Sequence, residues 1–256
     1  MTDDVSRETP PAPAATAAAR GVFSASLPVA EQYAALLAHD GVVRGLIGPR
    51  ETPRLWDRHL VNCALLGEAI PEGSTVCDIG SGAGLPGLVL GLSRPDLTLC
   101  LVEPLLRRTT FLEEAVAALG LTNVEVLRGR AEEVHGRREF DVVTSRAVAP
   151  LDRLARWSLP LVRRGGALVA MKGASAEDEI TAASRVLEKL GAGTVEVLRL
   201  GVGVIDPPTT VVRVVATQES RLGWDLSATR TPRTKSPGSD RGNPSRGRSR
   251  KRGPTA

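Results

Sequence analysis

Three observations predict an α/β architecture on a largely parallel, seven-stranded sheet. From Thr75 onward, short β-rich runs alternate with helical runs, the pattern of strands joined by crossover helices. A glycine-rich turn, Gly80-Ser81-Gly82-Ala83-Gly84, lies directly between the first strand and its following helix. The last two strands are joined by a short Gly/Pro loop, Gly201–Thr209, with no helix, so they form an antiparallel pair at one end of the sheet.

Each element follows from local pattern. Residues 1–24 are rich in Ala and Pro (Pro10, Pro11, Pro13) and lack apolar periodicity, so they are expected to be a disordered extension. A helical segment spans 25–72. Its first helix starts after Ser26 as N-cap and repeats apolar residues at Leu27, Ala30, Tyr33, Ala34 and Leu37. A second helix runs from Leu55 to Ile70, with Leu55, His59, Leu60, Cys63, Leu66 and Ile70 along one face. Residues 73–217 form the main domain. Its predicted strands are Thr75–Ile79, Thr98–Glu103, Val124–Arg128, Asp141–Ser145, Ala167–Lys172, Thr194–Leu200 and Thr210–Ala216. Its helices are Leu88–Leu92, opened by Pro86, then Leu105–Leu119, Leu151–Val162 and Ala176–Leu190. Residues 218–256, with Pro232, Pro237, Pro244 and Pro254 among Gly, Ser and Arg, cannot bury a core and are expected to be a disordered tail.

Composition narrows the class. A chain of 256 residues suits one full-sized domain with appendages. With 42% hydrophobic and 24% charged residues, it has the balance of a soluble globular protein. No apolar run approaches the ~18 residues of a membrane span. The acids Asp3, Asp4 and Glu8 argue against a secretory signal. The three cysteines, Cys63, Cys77 and Cys100, are odd in number and widely spaced, which fits a reducing cytoplasm rather than a disulfide framework or a metal site. Charge is unevenly spread. From Arg230 onward there are nine basic residues and one acid, while the whole chain carries only +4. The rest is therefore net acidic, and the basic balance belongs to the tail. Such a tail attracts RNA phosphates without reading sequence; the alternative is a solvated passenger.

The glycine turn carries the chemistry. It sits at the carboxyl end of the first strand, where open α/β sheets bind ligands. The next strand ends in Glu103, an acid able to accept both hydroxyls of a ribose. Gly82, Gly84 and Gly87 match the G-x-G-x-x-G spacing of a dinucleotide site, and a loop that merely turns the chain is a third reading. Two features favour S-adenosylmethionine. Asp78 precedes the first glycine by two residues, in reach of the cofactor's amino group. Pro86 removes an N–H where a pyrophosphate would dock. With the seven-strand outline, these features predict a class I S-adenosylmethionine-dependent methyltransferase, Rossmann-like fold.

Further blocks resemble one family. They are Arg58-His59-Leu60, Asp78-Ile79-Gly80-Ser81-Gly82-Ala83-Gly84-Leu85-Pro86-Gly87, Arg108 with Phe111-Leu112, Asn123-Val124, Arg130-Ala131-Glu132-Glu133, Ser145-Arg146-Ala147 and Lys172-Gly173. Together they resemble the RsmG (GidB) family of bacterial methyltransferases, over roughly residues 25–217. The resemblance implies methyl transfer to ring nitrogen 7 of one guanosine in 16S ribosomal RNA, with the small ribosomal subunit as partner. It implies cofactor contacts from Gly80 and Leu85, adenine contacts from Ala131 and Glu132, and a cofactor or target contact from Arg146. Many members carry Asp-Ser where this chain has Asn62-Cys63, so no role for that acid is carried over.

The residues fit that reaction independently. The position after the fourth strand reads Ser145-Arg146-Ala147-Val148-Ala149-Pro150, without the Asn/Asp-Pro-Pro-aromatic motif of exocyclic-amine enzymes. No cysteine stands there as a nucleophile for cytosine C5, and no carboxylate cluster suggests a metal. Nitrogen 7 of guanine needs none of these, because its in-plane lone pair is free without deprotonation. Proximity and alignment then carry catalysis. Arg146 is expected to position the cofactor, a phosphate or the guanine carbonyl. Arg58 and His59 are candidate RNA contacts, with a core-packed histidine as the alternative for His59. Lys172 is either substrate-facing or a solvated strand end. The alternatives are a methyltransferase of this fold acting on another RNA or a small molecule, and a non-catalytic RNA-binding factor that keeps the fold; the complete cradle of Asp78, the glycines and Glu103 argues against the second. A monomer without metal is expected.

Overall fold

The computed structural model describes residues 15–217. The seven strands are β1 (Thr75–Ile79), β2 (Thr98–Glu103), β3 (Val124–Arg128), β4 (Phe140–Arg146), β5 (Val162–Met171), β6 (Ala192–Leu200) and β7 (Thr209–Ala216). They form one sheet in the order β3-β2-β1-β4-β5-β7-β6. β1 to β5 pair in parallel, whereas β7 runs antiparallel between β5 and β6. The expected antiparallel ending is present. β7 is inserted beside β5, so β6 becomes the edge.

Eight α-helices are described: α1 (Ala17–Phe23), α2 (Leu27–Leu36), α3 (Asn62–Leu65), α4 (Gly87–Ser93), α5 (Leu106–Ala118), α6 (Ala131–Val134), α7 (Leu151–Ser158) and α8 (Ala176–Lys189). Two expectations for the amino-terminal part need correction. The extension expected to be disordered through residue 24 contains α1, capped by the Thr16 hydroxyl on the Ala19 N–H and anchored by buried Ala19 and Phe23. Phe23 packs edge-on against Trp56, with ring centroids 6.0 Å apart. Small alanines escape a search for apolar periodicity, and the buried face here consists of one alanine, Ala19, and Phe23. Ser26 also differs from its expected role. Its hydroxyl bonds the Phe23 carbonyl, and it makes no side-chain cap on α2. The tail lies outside the described residues.

The predicted helix from Leu55 to Ile70 is continuous but irregular. It opens as a π-helix over Leu55–Val61, passes through α3 and tightens to a 3₁₀ turn at Leu66–Ala69. Asn62 Nδ2 donates to the Asp57 carbonyl at 2.6 Å, which helps hold the widened turn. Such π turns are frequent at functional sites, and this one carries Arg58 and His59. The one-turn α6 had no counterpart in the periodicity, being too short to show any.

Alternation along the strands divides the core. Val76, Leu99, Leu101, Val142, Ala167, Val169 and Val211 face one layer, which holds α1–α5. Cys77, Ile79, Cys100, Val102, Val143, Leu168, Ala170 and Val212 face the other, which holds α6–α8. This is the period-2 geometry of a sheet covered on both faces. Cys77 and Cys100 pair in register on β1 and β2 as buried core residues. The helices ahead of β1 share one apolar cluster with the sheet. Leu60, with no exposed surface, belongs to that cluster. The Leu60→Ala variant is expected to lose about 2–5 kcal/mol of stability. The loss would be read as a lower midpoint of a single unfolding transition in urea, followed by circular dichroism.

Candidate active site

Strand order reverses between β1 and β4, with β2 and β3 on one side and β5 on the other. Crossovers leave in opposite directions there, so a crevice opens at the carboxyl ends of the strands. A cavity of about 630 Å³ lies at this point, within the usual range for a small-molecule site. Gly80, Ser81, Gly82, Ala83 and Leu85 line it from the turn after β1. Glu103, Pro104, Leu105 and Arg108 line it from the end of β2, and Arg146, Ala147 and Val148 from the end of β4. Leu46, Ile47, Gly48, Glu51 and His59 close it from the amino-terminal helical segment.

Two buried carboxylates hold the glycine turn. Glu103 Oε2 accepts the Gly82 N–H at 3.0 Å and lies 3.5 Å from Arg108 Nη1, while its Oε1 accepts the Leu105 N–H at 3.1 Å. Asp78 Oδ2 accepts the Gly87 N–H at 3.0 Å, and Asp78 Oδ1 has no hydrogen-bond partner among the described residues. Burial pushes the Asp78 carboxyl from 3.8 up to about 7, and the nearby Glu103 charge adds to the rise. A third support comes from α2, where the buried Tyr33 hydroxyl donates to the Ala83 carbonyl at 2.5 Å. Glycine is required sterically at the turn's end. Gly84 has φ of 92°. A Cβ there would stand 2.4 Å from Leu88 Cδ1 and 2.8 Å from the Tyr33 oxygen.

The rim of β4 is built differently. Ala147 has φ of 55°, a left-handed conformation that costs a non-glycine residue roughly 1–2 kcal/mol. The Arg146 guanidinium, just before it, donates through Nη2 to His59 Nδ1 and through Nη1 to Cys63 Sγ at 3.3 Å. His59 is buried, and its Nε2 lies 2.8 Å from Glu51 Oε2. Burial, then the Arg146 charge, lowers the His59 pKa; the His59 hydrogen bond lowers that of Glu51. Burial raises the Cys63 thiol.

The structure gathers some predicted site residues and separates others. Gly80, Gly82, Leu85, Glu103, His59 and Arg146 border the cavity. Asp78 and Gly84 lie behind the turn and do not line it. Ala131 is buried at the start of α6, in the opposite core layer, and Glu132 follows it; neither lines the cavity. Arg58 is exposed, 3.3 Å from Glu51 Oε1, and also outside the lining. Lys172 does not face the cavity either. Its ammonium is held by the Ala149 carbonyl at 2.8 Å and by Glu179 Oε2 at 2.7 Å. Asn62 Oδ1 takes the Thr209 hydroxyl at 2.5 Å, so the Asn62-Cys63 pair serves β7 and Arg146 respectively. Tyr33, Glu51 and Cys63 were not identified from sequence as site residues. The partners of Tyr33 and Cys63 are 50 and 83 residues away, beyond any local pattern, and Glu51 reaches His59 across 8 residues through an irregular 3₁₀-to-π junction that periodicity does not show.

A glycine turn after β1, an acid ending β2 and this sheet order define a class I S-adenosylmethionine-dependent methyltransferase. The donor set suits that cofactor: an acid at the end of β2 for a ribose, a glycine turn that admits close approach, and beneath it a buried carboxyl oxygen with no partner among the described residues. The family's sequence model, rRNA small subunit methyltransferase G, matches residues 26–203. A relative from Nocardioides sp., named ribosomal RNA small subunit methyltransferase G, is 62% identical over 231 residues, 90% of this chain and 91% of that protein. Proteins of the same name from Thermobifida fusca and Salinispora tropica are 56% and 61% identical, covering 84% and 80% of this chain and 91% and 88% of theirs. The chain belongs to the rRNA small subunit methyltransferase G family.

Two outcomes test the cradle. The folded state raises the Asp78 pKa, so it holds the proton more tightly than the unfolded chain does. Its contribution is favourable below about pH 4 and is lost as pH rises towards about 7. Asp78→Asn cannot ionise. Its stability relative to the parent is therefore expected to climb between pH 4 and 7 and then level off, as measured by unfolding free energies across that range. Tyr33→Phe removes one donor from the Ala83 carbonyl and is expected to cost about 1 kcal/mol in the same measurement.

Proposed function

We propose that this enzyme transfers a methyl group from S-adenosylmethionine to ring nitrogen 7 of a guanosine in 16S ribosomal RNA. The observation that carries the reading is the cavity across the ends of β1, β2 and β4, in a chain of this family. The bound cofactor supplies an electrophilic methyl group on a sulfonium. Gly80, Gly82 and Leu85 shape the wall against which it lies, and Glu103 offers its carboxylate to the ribose. Asp78 and Gly84 act from behind, by holding the turn. Ala131 and Glu132, just beyond β3, are assigned to the adenine side.

Chemistry at nitrogen 7 needs no general base. The in-plane lone pair attacks the methyl carbon, the sulfur–carbon bond breaks, and the guanine becomes cationic. The protein's contribution is alignment and exclusion of water. Arg146 keeps its cation away from the methylated ring and holds an anionic or carbonyl oxygen of the cofactor or target. The base enters past exposed Leu105 and Val148, 45% and 37% accessible, which offer an apolar surface without an aromatic cage. Arg50, Arg54 and Arg107 are exposed on the segments bordering the mouth and serve RNA phosphates in a salt-sensitive way. Arg58, tied to Glu51, joins that cationic edge, while Lys172 braces the loop after β4 through Ala149. No helix among the described residues is long and apolar enough to cross a membrane. The enzyme works on ribosomal RNA in the cytoplasm, as a monomer.

Labelled S-adenosylmethionine, incubated with small ribosomal subunits lacking the mark, is expected to yield 7-methylguanosine at a single site on digestion and mass analysis. Transfer to a different nucleoside would refute the assignment. Cofactor binding without transfer would point to another acceptor.

A further inference from the structure

Three groups from distant parts of the chain meet at the cavity wall. Glu51 lies in the 3₁₀ turn Pro49–Arg54, His59 in the π-helix and Arg146 at the end of β4. A guanidinium has donors alone. The imidazole nitrogen facing it must therefore be the acceptor, so Nδ1 carries no proton and Nε2–H donates to Glu51. The second partner of Arg146 is the Cys63 thiol, also uncharged. Among the described residues, Arg146 thus has two neutral acceptors and no carboxylate bond. Its direction is fixed while its charge stays available to a ligand.

We propose that His59 is a positioning residue for methyl transfer: as a neutral Nε2–H imidazole, braced by Glu51, it aims the Arg146 guanidinium into the cavity and leaves its charge unspent. The proposal rests on the reading that Arg146 acts on the cofactor or target. It replaces direct RNA contact by His59 with an action through Arg146. The charged or titratable groups around the pair are Glu51 on the 3₁₀ turn, Arg58 on the π-helix, Cys63 on α3, Tyr33 on α2 and Asp78 on β1. Protonating His59 puts an N–H against the guanidinium N–H and turns Arg146 away. The lowered His59 pKa keeps that event below neutral pH.

The two amide variants separate the roles of the two ring nitrogens. His59→Asn places an oxygen near the position of Nδ1 and keeps the acceptor for Arg146. His59→Gln places its amide near Nε2 and keeps only the tie to Glu51. Methyl transfer to small subunits is expected to stay within about 3-fold in the Asn variant and to fall about 10- to 100-fold in the Gln variant, the scale of a misaligned site. The parent's acid limb assigned to His59 should be missing in His59→Asn, while any limb from Asp78 stays. In the Arg146→Ala variant, ring-nitrogen NMR should show the His59 pKa rising, and calorimetry should show weaker S-adenosylhomocysteine binding or transfer should fall. The reverse order of the amide variants, equal losses in both, or an unmoved His59 pKa would overturn the proposal. Unchanged transfer and binding in Arg146→Ala would instead overturn the role of Arg146 itself. Thermal unfolding of each variant separates lost fold from lost aim.

Discussion

The backbone of the turn after β1 is clasped by two buried acids. Glu103 takes the Gly82 N–H and Asp78 takes the Gly87 N–H, so the middle of the turn and the start of α4 are both tied to the sheet. Burying carboxylates is costly unless their oxygens are bonded. The two acids solve this differently. Glu103 satisfies both oxygens, bonds Arg108 and still borders the cavity. Asp78 keeps one oxygen without a partner among the described residues and a pKa near neutrality. The turn's shape, the start of α4 and the wall of the cavity all depend on this arrangement.

The amino-terminal helices complete the site rather than decorate it. Tyr33 buttresses the glycine turn from above, and Glu51 and His59 supply a wall that the sheet lacks. The energetic basis is shared burial. Leu55, Leu60, Leu66 and Tyr33 sit in one apolar cluster with Leu88, Leu90 and Leu101. A side chain such as Arg146 can then be aimed by residues more than eighty positions away. The polar links are few, but the packing around them limits their freedom to rearrange.

Much of the fold was legible. Strands β1, β2 and β3 fall on their predicted residues: β1 and β2 are buried and read as short apolar runs, and the partly exposed edge strand β3 reads as a short Val-rich run after Asn123. Helix α8 is displaced by a single residue at its end. Failures occurred where periodicity carries no signal: alanine-packed α1, the four-residue α6 and the start of β5, whose Arg163-Arg164-Gly165-Gly166 run does not look like a strand. The site was legible as far as local motifs reach. The glycine turn and Glu103 stand where their spacing placed them, whereas Lys172 was read from its strand-end position and is instead drawn to Glu179.

By itself, the sequence determined the class of sheet, the ligand edge, the glycine turn and the family, since each is written in contiguous residues. Tertiary structure alone decided which side chains share the cavity and what surrounds each of them. Arg146 is an isolated cation in the sequence; only folding places an imidazole on one of its nitrogens and a thiol on another. Asp78 is an ordinary acid in a motif; only burial moves its proton towards neutral pH. Desolvation and long-range contact depend on what surrounds a residue in space, and a one-dimensional pattern does not carry that information.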